Sequence, residues 1–316
     1  SYGITSIHDF DRMPCFTALQ QMNQAGNLIL RVLKNIPFEQ LEAATTLGIC
    51  TGFGNNHLKI GSIKMFSDGA LGPHTAAMLL PYEGTTDNLG SLLLTADSIL
   101  KAGIKAGQSG LSLAIHAIGD HATHEVLHGF ALLRAYENKH ELPNLRHRIE
   151  HMQLVDPADI ARAAELGICL SMQPVHLYMD MATADRNWGQ RSRFAYAFQS
   201  FLNTGATLIF GSDAPVESPN PFWGLHAAVS RRTQGSTSQS ASWYPQERIS
   251  LEDAIRAYTE NPPIQAGLPG HVGKLEPGYL ADLIVLEKDL FSIPAESLYT
   301  VKPERVMVDG TWVFGN

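Results

Sequence analysis

The stretch "RHRIEH", Arg146 to His151, places two histidines four residues apart with an isoleucine between them. On a helix this spacing puts both imidazoles on one face, as a zinc-binding pair requires. On a strand, His147, Ile149 and His151 share one face, and Arg148 and Glu150 share the other. Pro143 works against an unbroken helix from the preceding segment, and a strand is due at this point of the chain. His151 is therefore read as a strand-end residue pointing into a barrel mouth. His147, two residues deeper on the same face, is read as buried and structural. Two further strands end in polar residues: "LSLAIHAIGD" carries His116 and "TLIFGSDAP" carries Asp213. Two imidazoles and a carboxylate are the ligand types for a zinc-like cation with one position left open for water. Lys64, in "IKMF", lies on a neighbouring strand. A lysine facing such a centre is repelled unless it takes up carbon dioxide as a carbamate, an anion able to bridge two cations.

These residues need a frame, and short β-rich runs alternate with helical stretches to supply one. Strands are predicted at Gly3–Asp9, Leu28–Leu33, Gly61–Gly69, Leu111–Asp120, "RHRIEH", Ile168–Pro174 and Thr207–Pro215. Helices are predicted near 16–24, 38–48, 96–107, 120–136, 156–167, 222–232 and 251–260, with Asp120 as a cap. Residues 69–95 and 175–192 read as long loops, and the Ser/Gln-rich stretch 235–245 as another. Strand followed by helix, seven times, predicts parallel strands with right-handed crossovers, one short of a closed (β/α)8 barrel. A doubly wound sheet is the runner-up, but no Gly-rich phosphate turn follows the first strand. The tail segments "VGKLEPGYLADLIVLEKD" and "ERVMVDGTWVFG" carry turn signals at Pro277-Gly278 and Asp309-Gly310 and read as hairpins of a small β domain. Residues 1–268 are thus expected to form the barrel, and 269–316 part of a small β-sandwich.

Composition narrows the function classes. The 316 residues are 44% hydrophobic and carry a formal charge of -8. No Lys/Arg-rich run points to nucleic acid or an anionic membrane, and no apolar run is long enough to span a bilayer. Cys15, Cys50 and Cys169 lie far apart, which fits a reducing compartment, the cytoplasm, and argues against a disulfide scaffold or a thiolate zinc site. Homo-oligomer formation is left open. The opening "SYGITSIHDF" enters a strand almost at once, without initiator Met or signal peptide, and reads as a start inside a larger protein.

The ordered set "GSIKMFSDGALG", "LAIHAIGD", "RHRIEHMQ", "SMQP", "FGSDAPV" and "GKLEPGYLADLIVLE" resembles the successive signatures of the amidohydrolase superfamily. The match is to amidohydrolase family 3, the group that includes N-substituted formamide deformylase-like proteins, and it runs from about Gly3 to the C-terminus. The resemblance implies a TIM-like barrel with a small β-sandwich built from both chain ends. It implies a carboxylated Lys64, metal ligands at His116 and His151, and Asp213 as both metal ligand and proton shuttle. Two departures stand out. The family opens its barrel with a His-x-His pair on the first strand, and no such pair exists here, so the chain is expected to lack that strand and to be inactive by itself. The family also usually has Arg where His74 stands.

The function this implies is metal-dependent hydrolysis of a non-peptide C–N bond in a small amide, N-acyl or formamide compound. Asp213 takes a proton from the attacking water and returns it to the leaving nitrogen. The expected cofactor is a divalent cation, zinc by its ligand types, one or two per full-length protein. The alternatives are a non-catalytic barrel kept as a binding or regulatory module, and phosphoester cleavage on the same metals. His74 and His176, the latter with Tyr178, are candidate substrate contacts. His8 is expected to pack or to support a ligand from behind. Asp68 and Asp120 are expected at a turn and a cap, where either can orient a ligand histidine. His121, His124 and His128 read as a solvated helix face, and Arg231 and Arg232 as a helix end or a contact for an acidic substrate.

Overall fold

The computed structural model describes residues 1–266 and 271–315. Seven strands form one parallel sheet in strict chain order: β1 Ser6–Asp9, β2 Arg31–Pro37, β3 Leu58–Phe66, β4 Leu113–Ala117, β5 Arg148–His151, β6 Cys169–Met172 and β7 Leu208–Phe210. The order never reverses, so the doubly wound alternative is excluded and the sheet is the wall of a TIM-like barrel. Among the described residues no strand joins β1 to β7, and the wall is open there.

The helices are α1 Met13–Gln24, α2 Leu41–Thr46, α3 Ala96–Gln108, α4 Asp120–Lys139, α5 Arg162–Glu165, α6 Leu177–Trp188, α7 Phe198–Asn203, α8 Pro221–Ser230, α9 Leu251–Tyr258 and α10 Asn261–Gln265. α3 shows why they dock. Thr95 and Ser98 cap its start reciprocally, and Ile99, Ala102, Gly103 and Ala106 bury one stripe at helical spacing. α3 and α4 approach closely because Gly103 faces Leu133 and Gly129 faces Ile99, with no room for a side chain at either glycine. Leu113, Ile115 and Ala117 of β4 pack outward into the same core as Val126, Leu127 and Phe130 of α4. Each such large apolar side chain contributes about 1.5–3 kcal/mol by burial. Strand alternation then turns His116 the other way, into the barrel.

Three expectations change. The stretch 175–192, read as a loop, contains α6. Its polar residues Asp180, Thr183 and Asp185 conceal a sparse buried face of Leu177, Ala184 and Trp188. The predicted helix at 156–167 is a capped turn at Pro157–Asp159 followed by the short α5. Pro277-Gly278 joins no two strands. The small sheet is antiparallel, β8 Leu283–Leu286, β9 Pro303–Val308 and β10 Thr311–Phe314 in the order β10-β9-β8. Its hairpin turns at Asp309-Gly310, where both residues have positive φ (51° and 76°) as a two-residue turn demands. The boundary expected at 268/269 lies outside the described residues. The buried Arg31 of β2 ties the small sheet to the barrel, bonding Asp282 at 2.6 and 2.8 Å and Asp309 at 3.1 Å. No helix among the described residues is long and apolar enough to cross a membrane.

Candidate active site

Lys64 is inward-facing on β3 and buried. Its Nζ lies 4.8 Å from the Phe10 ring centre and 4.7 Å from that of Phe66. Burial brings its pKa down to about 8; Glu150 and Asp213 pull upward and Arg148 pushes further down. His116, at the end of β4, has Nε2 2.8 Å from the Gly69 carbonyl and 3.3 Å from Asp68 Oδ1. Asp68 is itself pinned by the backbone N–H groups of Ala77, Ile118 and Gly119. Its expected turn role therefore extends to holding His116. Gly119 is needed here because a Cβ would run into the Ala77 carbonyl.

His151 departs from regular strand geometry. Alternation would send it with Ile149 into the helix layer. Its backbone instead turns left-handed at φ 74°, as does Met152 at φ 45°, and this redirects the ring to the barrel mouth. There Nδ1 lies 2.8 Å from Gln173 Oε1. The ring centre is 4.6 Å from that of His116, edge to face, and 6.1 Å from that of His176. Burial, followed by the nearby His116, Lys64 and His176, holds its pKa well below the ordinary imidazole value. The shared face predicted for His147 and His151 is thus corrected. His147 points outward, where Nε2 lies 3.1 Å from Glu137 Oε1 and Nδ1 accepts from the Leu113 N–H at 2.9 Å.

The same turn has a consequence the sequence reading missed. Arg148 and Glu150, assigned to the face away from the site, line the barrel interior beneath it. Arg148 Nε is 2.6 Å from Glu150 Oε1, and its Nη1 is 2.7 Å from His8 Nδ1. His8 thus contacts Arg148 rather than a candidate ligand, and burial with Arg148 lowers its pKa to about 3. The available signal was the pair of opposite charges two residues apart in "RIE", which a buried strand can hold when they match each other.

Asp213 follows β7 with a left-handed backbone, φ 57°. Burial raises its pKa; Lys64 and His116 oppose this and Glu150 adds to it. It therefore shares a field with both other groups. The set is not drawn into a closed clasp: among the described residues, only Asp9, Asp11 and Cys15 bring three ligand atoms within 4.8 Å of one another. That cluster is satisfied by the Lys34 ammonium, which bonds Asp9 and the Asp11 carbonyl. The fit of a cation to the mouth rests instead on the ring nitrogens. Among the described residues, His116 Nδ1 and His151 Nε2 have no hydrogen-bond partner, while the opposite nitrogen of each ring is anchored to an oxygen. Anchoring through one nitrogen while the other stays open is the habit of metal-binding imidazoles.

The remaining candidates divide. His176 is buried at the start of α6, with Nδ1 3.5 Å from Gln153 Nε2 and Nε2 unpartnered, and burial lowers its pKa to about 4. His74 stacks on Tyr82 at 4.6 Å, and no hydrogen bond among the described residues links its side chain to the mouth. Asp120 is the first residue of α4 rather than its cap, which is Gly119; its carboxylate accepts from the Leu79 and His121 N–H groups. His124 pairs with Asp159 at 2.9 Å. Arg231 is buried and bonds the carbonyls of Trp243, Tyr196 and Ala195, and Arg232 pairs with Glu296. Both arginines are structural. Gln173 went without a role in the sequence reading, although its place at the end of β6 marked it.

The chain is similar to several known proteins. The chain is 36% identical over 231 residues to the protein LONG AFTER FAR-RED 3 of Arabidopsis thaliana, covering 72% of this chain and 39% of that protein. It is 32% identical over 263 residues to the putative amidohydrolase YtcJ of Bacillus subtilis (strain 168), covering 82% and 48%. It is 27% identical over 255 residues to the N-substituted formamide deformylase of Arthrobacter pascens, covering 80% and 45%. The chain thus spans less than half the length of these relatives. An uncharacterised metal-dependent hydrolase from Pyrococcus horikoshii OT3 superposes with a TM-score of 0.80 at 28% identity, covering 93% of this chain and 58% of that one. The amidohydrolase family pattern matches residues 1–314, nearly the full length, and the chain belongs to that family.

Proposed function

We propose that the chain carries most of the active site of a metal-dependent hydrolase that cleaves a non-peptide C–N bond in a small amide, N-acyl or formamide compound. The observation that carries this reading is the pair of anchored imidazoles, each open at one nitrogen, beside Lys64 and Asp213. The Arthrobacter relative's name supports the bond type. His116 and His151 would hold the cation, with Asp213 beside them. A divalent cation, zinc by this donor set, supplies Lewis acidity that brings bound water toward a pKa near 7 and polarises the scissile carbonyl.

The protein's own groups do the rest. Asp213 accepts the proton of the attacking water and delivers it to the leaving nitrogen. Its raised pKa suits a group that must hold a proton briefly. Lys64, with a pKa near 8, has an appreciable unprotonated fraction at neutral pH. Its amine nitrogen can add to carbon dioxide and lose a proton, giving a carbamate that would bridge to a second cation. His176 and His74 are assigned to the substrate side, and the protein to the cytoplasm on its three separated cysteines. Metal analysis of the full-length protein, followed by hydrolysis assays on a panel of N-acyl and formamide compounds, tests the reading. Stoichiometric divalent metal and chelator-sensitive turnover are expected. Turnover that survives metal removal overturns it.

A further inference from the structure

We propose that Gln173 is a positioning residue: it locks His151 in the Nδ1–H tautomer and so keeps Nε2 a lone pair open to the barrel mouth. The proposal deepens the reading of the site above. It rests on that reading for what the open nitrogen serves, but not for the tautomer itself.

Gln173 is 5% exposed, directly after β6. Its Nε2 donates to the Ser171 carbonyl at 3.2 Å. This contact chooses between the two orientations of the side chain, because the reversed amide would set Oε1 against another carbonyl oxygen. The atom left facing His151 Nδ1 at 2.8 Å is therefore Oε1. A carbonyl oxygen only accepts, so Nδ1 must carry the hydrogen. A neutral imidazole has one such hydrogen, and Nε2 is left bare.

His116 is set the opposite way. Its Nε2 faces the Gly69 carbonyl at 2.8 Å, so the hydrogen sits on Nε2 and Nδ1 is bare. Two rings 4.6 Å apart thus present different nitrogens. The Nε2–H form is the commoner one in a free histidine side chain, so His116 needs only a passing carbonyl. His151 must be held in the less favoured form, and a dedicated buried amide does this. A glutamine also does it without adding a fourth carboxylate to a site that already contains Asp68, Glu150 and Asp213.

The test is long-range nitrogen–proton NMR on the metal-free 316-residue chain with 15N-labelled histidine, in wild type, Gln173→Leu and Gln173→Glu. Wild type is expected to show His151 as Nδ1–H and His116 as Nε2–H. Gln173→Leu should return His151 to a mixture dominated by Nε2–H and leave His116 unchanged. Gln173→Glu keeps an acceptor and should restore the Nδ1–H form. Zinc affinity, followed by competition with a chelating dye, should fall about 10–100-fold in Gln173→Leu and recover in Gln173→Glu. A residue that only packed would lower the unfolding midpoint without moving the tautomer. Wild-type His151 found mainly as Nε2–H overturns the proposal with no variant needed, as does an unchanged tautomer in Gln173→Leu. If the tautomers behave as expected but zinc moves neither histidine's signals, the positioning role stands and the metal-hydrolase reading falls.

Discussion

His147 and His151 belong to one segment of chain, yet the helix layer and the barrel mouth use them differently. In the helix layer, both ring nitrogens of His147 are engaged, one by Glu137 and one by the Leu113 N–H, and the ring stacks on Phe130 at 5.3 Å. At the mouth, His151 is also buried, though 8% exposed against 0% for His147, and uses one nitrogen. His116 repeats the pattern. All three are buried, so residue type and burial class do not separate the histidine of the helix layer from the candidate ligands at the mouth; the free nitrogen does.

The largest effect that sharpens this contrast is chemical. In the full-length protein, Asp213→Asn keeps size but removes the anionic oxygen, and turnover on an accepted N-acyl substrate should fall by about 10²–10⁴-fold, with the unfolding midpoint no lower. A loss under tenfold would remove Asp213 from proton transfer. Next comes the histidine pair. His147→Ala takes one hydrogen-bond partner from the buried Glu137, which keeps Arg134 at 2.7 Å, and should cost about 1–3 kcal/mol in urea unfolding, with zinc affinity within about twofold, well inside the second-sphere range. His151→Ala should reverse the outcome, losing zinc binding with little change in stability. If both variants lose zinc equally, the contrast is broken.

A smaller effect concerns acid. His226 is buried in α8, with Tyr178 Oη 2.6 Å from Nδ1 and Ser230 Oγ 3.3 Å from Nε2. Burial lowers its pKa from 6.5 to about 4, with Glu296 opposing and Arg232 adding. Above pH 6.5 neither state is protonated and the group adds no pH dependence. Between 6.5 and about 4 the unfolded chain binds the proton and the folded chain does not. Stability therefore falls as pH falls, by up to about 1.4 kcal/mol per pH unit from this group. Urea titrations at pH 7, 6 and 5 should show a slope to which the other buried histidines also contribute, and His226→Phe should reduce it by this group's share. An unchanged slope in the variant would mean that His226 is not held neutral.

Much of the site was legible because barrel strands advertise it. Lys64, His116 and Asp213 each interrupt or close an apolar run where a core residue would otherwise stand, whereas His151 ends a charged strand and stood out by its place in the order of strands. Parallel order was legible from the alternation of strand and helix. What stayed hidden was conformational. Nothing local in "RIEHMQ" announces a left-handed backbone at His151, so Arg148 and Glu150 were placed on the wrong side of the wall. The polar face of α6 outnumbers its buried one, and the helix was read as a loop. The 277–278 turn signal was real in composition, but among the described residues no strand directly before it pairs with β8.

His151 and Asp213 are two of nine non-glycine residues with a left-handed backbone among the described residues, and at these two the conformation carries a candidate site side chain. Non-glycine residues pay roughly 1–2 kcal/mol for that conformation, and glycine does not. A population of variants selected only for surviving heat would therefore drift toward glycine at 151 and 213, discarding the two residues while the barrel wall grew sturdier. Retaining them requires a selection that senses what they do. Libraries of this protein screened for thermal tolerance alone should lose these two positions earlier than the His147–Glu137 pair, which heat itself protects.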